Sequence, residues 1–439
     1  MFFLSISPTG PSDPGKNRPI QALQSRFRKR LGASPLLGQE VLNLVNDLGS
    51  ESFDVSNNAI NKLSEMTQDK SLFTELVKLL NKGEIVSRRS SAKVLGNLKN
   101  ISAMSFLAGV LKEKDNDLVI NSIDALETLV LKNKDTISLA DMNLVTKELA
   151  ACIENNEYYQ VSLNAAMLLG QLGKPEAVEM LVSCLQNGDE DVSNRERARD
   201  ILCGIKHKET LEQVTPFLSD EYSMRTREYS ASVVNSLAES NITSIEITDS
   251  LMKCLDDITN TRLRRIAAEA LGNTRDEKGI NSLIKALIED DDLEVKKTAT
   301  VAISKFDESI AVPVLWNIFL QIKGPLIKLN TLEALAKTNN PVIVPAFLIA
   351  IKDFSIQDTA IQNFKYLSDE VLDKGLKTYL LEEINADNRL YLLESLRYVG
   401  DLRVLPYIEK CAEDTDPRIK DMSKVVLDAV RVRQERRSV

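Results

Sequence analysis

Apolar residues recur along the chain with the spacing of two helices joined by a short turn, and the clearest copy lies between Thr261 and Glu289. From 261 to 272 they return every three or four residues, as on one face of an amphipathic helix. Gly272 falls near the end of this helix, where we expect left-handed backbone. Residues 280–288 repeat the apolar spacing in a second helix. Because one hairpin cannot bury both apolar stripes, it needs copies of itself on either side.

Such copies extend through most of the chain. We align the copies on a pair of residues three positions apart in one helix of each hairpin, the first of which is usually small. The second residue of each pair, which we call the anchor, is Leu95, Leu169, Ile201, Val234, Leu271, Ala302, Leu335 or Leu396. From Leu169 to Leu335 the interval is about 31 to 37 residues, the period of a helical repeat. An acidic residue that can cap the first turn precedes several helices, at Asp117, Asp191, Asp257, Asp292 and Asp416. The pattern predicts an all-α fold, a right-handed superhelical α-solenoid of about twelve hairpins.

The hairpins are predicted between residues 37 and 430, with a different composition at each end. Residues 1–36 are predicted to form an N-terminal arm rich in Pro, Gly and Ser, followed by a short basic helix over 20–31. We interpret this helix as a solvated cap, with a docking site for an acidic partner as the alternative. Residues 431–439 form a basic C-terminal tail. The first residues lack the pattern of a secretory signal, so we expect a cytoplasmic protein.

Composition excludes several classes of function. The net charge of -9 argues against nucleic-acid binding, which needs clustered cations, and no run of residues resembles a membrane span. The five cysteines are odd in number and widely spaced, which is typical of small buried residues in a reducing compartment. His207 is the one histidine and has no partners at ligand spacing, so no metal site is predicted. Residues 170–174 (GQLGK) lack the spacing of a phosphate loop, and the sequence identifies no catalytic residue.

A local concentration of tyrosine and arginine gives a candidate ligand surface. Tyr222, Arg225 and Tyr229 are expected close to one face of a helix, with further arginines about one repeat along. Tyrosine rings suit a flat conjugated molecule, and arginine pairs with carboxylates. The alternative is that these side chains form ladders between repeats, with arginine bound to a neighbouring cap Asp. The complete candidate set is Tyr158, Tyr159, Tyr222, Arg225, Arg227, Tyr229, Arg264 and Arg265.

The repeat resembles a known family. The small-x-x-Leu-Gly step and the entry Asp292–Lys296 (DLEVK) are similar to the HEAT-like repeats named after phycobilisome lyases. Residues 157–173 (EYYQVSLNAAMLLGQLG) are similar to the aromatic-rich helix of the E/F-type phycobilin lyases of phycoerythrin, although they lack its Trp.

The resemblance implies a lyase that binds a linear tetrapyrrole as substrate, needs no cofactor and promotes thioether attachment to a cysteine of a phycobiliprotein subunit. In some members the bilin is also isomerised. The alternative function is a non-enzymatic HEAT-repeat scaffold that binds other proteins.

Overall fold

The computed structural model describes residues 38–67, 69–133, 135–399 and 401–435. The predicted arm over 1–36, with its basic helix at 20–31, and residues 436–439 of the tail lie outside the described residues. The chain divides between Leu181 and Val182 into two compact units. The predicted boundaries near 37 and 430 therefore stay a prediction.

The first unit contains four helical hairpins. Its helices are α1 Gln39–Asp47, α2 Phe53–Ser64, α3 Lys70–Lys82, α4 Ile85–Asn97, α5 Met104–Val110, α6 Asn116–Asn133, α7 Leu139–Asn155 and α8 Tyr159–Gln171. Helix α9, Val178–Gln186, crosses the division between the units.

The second unit continues the same alternation. Its helices are α10 Val192–Gly204, α11 Lys208–Val214, α12 Met224–Glu239, α13 Ile245–Leu255, α14 Thr261–Thr274, α15 Ile280–Glu289, α16 Leu293–Ile303, α17 Glu308–Gln321, α18 Pro325–Lys337, α19 Ile343–Ala350, α20 Gln357–Phe364, α21 Asp369–Leu376, α22 Ala386–Leu396, α23 Leu405–Cys411 and α24 Pro417–Glu435.

These 24 helices, with no strand among the described residues, form twelve successive pairs. We call the first helix of each pair the A helix, the second the B helix and the segment between them the A–B turn. Within a unit, a B helix typically packs on its A helix and on neighbouring B helices, as α14 does on α13, α12 and α16. The predicted all-α solenoid of hairpins is confirmed.

The core of the stack consists of leucine and alanine from the apolar stripes of both helices. Ala267, Ala268, Ala270 and Leu271 of α14 are fully buried. Alanine lets neighbouring B helices approach closely, because its side chain occupies little space between their axes. The repeated small-x-x-Leu step is therefore the sequence signal of contact between B helices.

Gly272 serves this close approach and does not end the helix. It lies inside α14, and a Cβ atom at this position would lie 2.6 Å from the Cα atom of Ala302 in α16. Gly96 of α4 faces Ala125 of α6 in the same way, at 2.7 Å. The expected left-handed residue is Arg275, with φ 54°, so the prediction for Gly272 was wrong. A glycine near the end of a helix can either adopt left-handed backbone or allow close contact with a neighbouring helix, and periodicity alone does not distinguish these two roles.

Most of the predicted acidic caps are correct, with two shifts. Asp191, Asp292 and Asp416 accept hydrogen bonds from backbone amides two residues later, at 2.7, 2.9 and 2.9 Å. Asp117 lies inside α6, whose first turn is capped by Asp115 instead. For α14 the cap is Asn260, which accepts from the Leu263 amide at 3.0 Å. The Asp257 carboxylate instead accepts hydrogen bonds from the amide and the hydroxyl of Thr259, in the turn before α14.

Candidate functional site

Arg264 of α14 connects two hairpins. Its guanidinium donates two hydrogen bonds to the Asp290 carboxylate, at 2.7 and 3.0 Å, and a third to the carbonyl oxygen of Asp257 at 3.0 Å. Both charged side chains are nearly buried, at 10% and 7% exposure. Asp290 in turn accepts from the amide of Asp292 and so shapes the turn before α16. One arginine therefore ties the A–B turn of its own hairpin to the A–B turn of the next.

Equivalent pairs recur along both units. In each, a basic residue near the start of a B helix binds an aspartate in the next A–B turn. We call this set the charge ladder: Arg89–Asp115, Arg227–Asp257, Arg264–Asp290, Lys328–Asp353 and Arg389–Asp414. Three of the arginines also donate a hydrogen bond to a backbone carbonyl in the segment that follows their own A helix, at Leu218, Asp257 and Leu380. Each of these arginines therefore also holds the A–B turn of its own hairpin.

The ladder changes the acidity of its aspartates. Burial works to raise the pKa of Asp290, but the hydrogen bonds from Arg264 and from the Asp292 amide outweigh it, so that the pKa lies below its usual value. The pKa of Asp257 is lowered in the same manner by Thr259 and Arg227. These carboxylates are therefore charged at neutral pH and engaged with their partners.

Three of the candidate ligand residues are part of these contacts between hairpins. Arg227 binds Asp257 at 2.5 Å and the Leu218 carbonyl at 3.2 Å. Arg264 belongs to the ladder as described above. Tyr229 is 3% exposed, and the guanidinium carbons of Arg195 and Arg199 lie 5.5 and 5.3 Å from its ring centroid, within the range of a cation–π interaction. Of the two interpretations of these three residues, a ligand surface or contacts between repeats, the structure shows contacts between repeats.

The other five candidates lie at the surface. In the second unit, Arg225 and Arg265 are exposed, and Tyr222 is half-buried with its ring edge-on to Phe217. Tyr222 precedes α12, so the expectation that it shares one helix face with Arg225 and Tyr229 was wrong.

In the first unit, Tyr158 and Tyr159 begin α8 and are 49% and 36% exposed. Binding of a ligand by any of the eight residues stays a prediction.

The second unit also exposes a set of apolar side chains that the sequence reasoning missed. Seven consecutive hairpins each carry one, in the A–B turn or at the first two positions of the B helix. We call them the apolar row: Val192, Met224, Ile258, Leu293, Leu326, Phe354 and Ile384, between 43% and 97% exposed. Their signal in the sequence is a large apolar residue among acidic and turn residues, as in 256–260 (DDITN) and 290–294 (DDDLE).

A groove lies next to this row. It runs between the A helices α11 and α13, has a volume of about 1110 Å³, and is bordered by Ile245 at one end of α13 and Ile258 beyond the other. These two side chains are 78% and 90% exposed. Five carboxylates and three cations line it: Glu212, Asp220, Glu246, Asp256 and Asp257, with Lys208, Arg227 and Lys253.

The cysteine thiols are held away from the thiolate form. Burial raises the pKa of Cys152 and of Cys411 to about 11, and it also raises the pKa of Cys203 and Cys254. A thiol must ionise to act as a nucleophile, so none of these four is activated in this fold.

The described part of the chain has neither a metal cluster nor a helix suited to span a membrane. It contains no cluster of three His, Cys, Asp or Glu residues arranged to hold a metal ion. None of its helices combines the length and the apolar character needed to cross a membrane.

Comparison with protein families gives two matches. Residues 248–336 match the model for HEAT repeats, and residues 163–187 match the model for the PBS lyase HEAT-like repeat. No curated protein matches the chain. The chain thus contains HEAT repeats, in agreement with the predicted repeat class.

Solved structures with a similar fold include crystal structures of Kap121p. The free protein matches 95% of this chain and 52% of its own, with a TM-score of 0.54 and 13% identity. For Kap121p bound to Ste12p, the TM-score is 0.52 and the identity 13%, with 95% of this chain and 51% of that chain covered. For Kap121p bound to the SUMO protease Ulp1p, the TM-score is 0.51 and the identity 14%, with the same two coverages of 95% and 51%. The chain spans about half the length of these chains. At this level of identity the likeness shows the fold alone.

Proposed function

We propose that this chain is a helical-repeat scaffold that binds other proteins. The observation that carries the proposal is the apolar row, in which seven successive hairpins of the second unit expose a large apolar side chain in the A–B turn or at the start of the B helix. Single exposed apolar side chains are ordinary, whereas their repetition on successive hairpins supports a surface that binds another protein. Kap121p, a protein of similar fold, is known in complex with protein partners such as Ste12p, which is consistent with this function.

The position of the candidate ligand residues supports the same conclusion. A bilin pocket built on Arg227, Tyr229 and Arg264 requires side chains that are free to face a ligand. Arg227 and Arg264 instead neutralise nearly buried aspartates, and the Tyr229 ring is in contact with two guanidinium groups. Releasing either arginine to a propionate leaves an uncompensated buried carboxylate, which is strongly unfavourable.

The proposal is tested with two matched variants of the full chain. The row variant carries Met224→Ser, Leu293→Ser and Phe354→Ser. The control variant carries Tyr366→Ser, Leu402→Ser and Val425→Ser, three substitutions of exposed apolar side chains outside the row.

Both variants and the wild type serve as bait in extracts of the source cells, with quantitative mass spectrometry as the readout. At least one protein is expected to bind the wild type and the control but not the row variant, and to form a stoichiometric complex when both components are purified. Identical sets of bound proteins for all three baits contradict the proposal.

A second candidate function is the phycobilin lyase, possibly also a lyase-isomerase. It is favoured by the match of residues 163–187 to the PBS lyase HEAT-like repeat, directly after the exposed Tyr158 and Tyr159. For this candidate, incubation of the chain with a bilin and an apo-phycobiliprotein yields an acid-stable covalent adduct that forms more slowly without the chain. Absence of any adduct across the common bilins and subunits eliminates it.

A further inference from the structure

The groove between α11 and α13 has a chemistry that defines its partner. Two nearly fully exposed isoleucines stand at its ends, and its walls are mostly charged and polar. Because α13 has 11 residues, the groove is roughly 16 Å long, at about 1.5 Å per helical residue. It therefore offers two apolar anchors separated by about three helical turns.

The charge along the groove is predominantly negative. Arg227 is already bound to Asp257, and Lys208 lies 3.1 Å from Glu212. Within the described part of the chain, no ion pair is seen for Asp220 or Glu246. A ligand rich in phosphate or carboxylate is repelled by this lining, so the groove does not suit a nucleic acid or an anionic membrane surface.

The surrounding turns add to the negative charge. Acidic residues lie next to members of the apolar row on both sides of the groove, as Asp220 and Glu221 do near Met224, and Asp290 and Asp291 near Leu293. Asp220, Glu221 and Asp291 are exposed. Complementary charge steers a basic partner towards such a surface and fixes its orientation, while apolar contacts supply most of the affinity.

We propose that the groove between α11 and α13 binds a basic amphipathic helix of a partner protein, about three to four turns long. This inference rests on the proposed protein-binding function and names its partner. Apolar side chains of the helix contact Ile245 and Ile258, and its lysine and arginine side chains pair with Asp220 and Glu246. An amphipathic helix docked between two helices is a common mode of peptide recognition.

The test uses a random library of 16-residue peptides displayed on phage and selected on the full chain. Enriched peptides are synthesised with a fluorescent label and titrated against two variants. The groove variant carries Asp220→Asn, Glu246→Gln and Ile258→Ser. The control variant carries Glu382→Gln, Glu413→Gln and Val425→Ser, which makes the same types of change at exposed positions of the second unit outside the groove and the apolar row. All six side chains are exposed, so both variants are expected to fold like the wild type.

The enriched peptides are expected to be rich in Lys and Arg, with apolar residues at helical spacing. Their affinity falls at least about tenfold for the groove variant, a loss consistent with one apolar anchor and two charge pairs, and stays within about twofold for the control. A scrambled peptide of the same composition binds at least about tenfold more weakly than its parent, since it has no apolar face.

Other outcomes overturn the inference in distinguishable ways. Peptides that bind the groove variant as tightly as the control show that another surface is used, which leaves the proposed scaffold function intact. Enriched peptides without basic character, or equal affinity of parent and scrambled peptides, contradict the stated partner chemistry. A library that yields no binder to any surface contradicts the proposed function as well.

Discussion

In the first unit the third hairpin begins its B helix with Asn116 and Asp117, whereas seven consecutive hairpins of the second unit place a large apolar side chain near this position. Asp117 there binds Arg89 at 2.8 Å, next to the ladder pair of Arg89 and Asp115. The charge ladder therefore occurs in both units, but an unbroken apolar row occurs only in the second. In the first unit the other three hairpins do carry exposed apolar or aromatic side chains in this place, so that the third hairpin interrupts the series: Phe53, Ile85, Tyr158 and Tyr159.

This difference indicates that the apolar row, unlike the charge ladder, is not part of what stabilises the fold. The third hairpin packs into the first unit without an apolar side chain at this place, so such a side chain is not required for a hairpin to join the stack. Exposed apolar residues add little to stability because they remain in water. Their regular presence in the second unit is the basis of the proposed protein-binding function.

The largest loss of stability is expected when one partner of a charge-ladder pair is removed. Arg264→Ala leaves Asp290 nearly buried without its partner, and the free energy of unfolding should fall by about 3 kcal/mol. The matched change Arg89→Ala in the first unit should cost only about 1 kcal/mol, because that pair is 34% and 25% exposed. Urea denaturation followed by circular dichroism measures both.

Arg265→Ala serves as the control, since Arg265 is adjacent and exposed. We expect its effect to lie within about 0.5 kcal/mol of zero. Equal losses for Arg264→Ala and Arg265→Ala would show that the ladder contributes little.

The close contacts between B helices should be equally sensitive in the two units. Gly272→Ala and Gly96→Ala place a methyl group 2.6 to 2.7 Å from the backbone of the next B helix. Each is expected to lower the free energy of unfolding by about 1 to 3 kcal/mol, as overpacking does. Gly109→Ala is the control, because a Cβ atom there meets nothing within 4 Å. A strong effect in one unit alone would indicate different packing of their B helices.

Acidification should weaken the ladder with a defined sign. Because the pKa of Asp290 is lowered in the folded state, its contribution to stability is complete above the unfolded-state pKa. It is lost as the pH falls through the folded-state pKa. The difference in free energy of unfolding between wild type and Asp290→Asn should be largest near pH 7 and shrink below about pH 4.

The exposed Asp291 provides the comparison for this titration. Wild type and Asp291→Asn are expected to differ little at any pH, by less than about 0.5 kcal/mol. A difference for Asp290→Asn that grows on acidification would reverse the assigned sign.

The smallest effect on stability is expected from the apolar row itself. Leu293→Ser in the second unit and Phe53→Ser in the first should each change the free energy of unfolding by less than about 0.5 kcal/mol, since both side chains are mostly exposed. Partner binding should fall for Leu293→Ser alone. A marked loss of stability for Leu293→Ser would assign the row to folding and remove the basis of the proposed function.

The repeat was predictable because its signal is local and redundant. Spacing of apolar residues along 261–272 and 280–288 gives α14 and α15 without knowledge of their neighbours. Because the same pattern recurs twelve times, a copy with a weak helix signal can be assigned by comparison with the others. The all-α class and the number of hairpins therefore follow from the sequence.

The candidate site was less predictable because it depends on contacts between residues far apart in the sequence. Arg264 and Arg265 are adjacent and chemically identical, yet one is bound to Asp290 and the other is exposed. Only the rotation of α14 about its axis decides between them. Likewise, nothing in the local sequence shows that the Tyr229 ring contacts two guanidinium groups of the preceding hairpin.

The charge ladder also bears on how such a chain can change its length in evolution. Every ladder pair joins a cation in one hairpin to an aspartate in the next, and the hairpin of α13 and α14 has such a pair at both ends. Excision of residues 258–290 would join Asp257 to Asp291, leave Arg227 with its own aspartate and bring α16 into the place of α14. Loss or duplication of this hairpin by recombination therefore keeps the same type of ion pair between its neighbours.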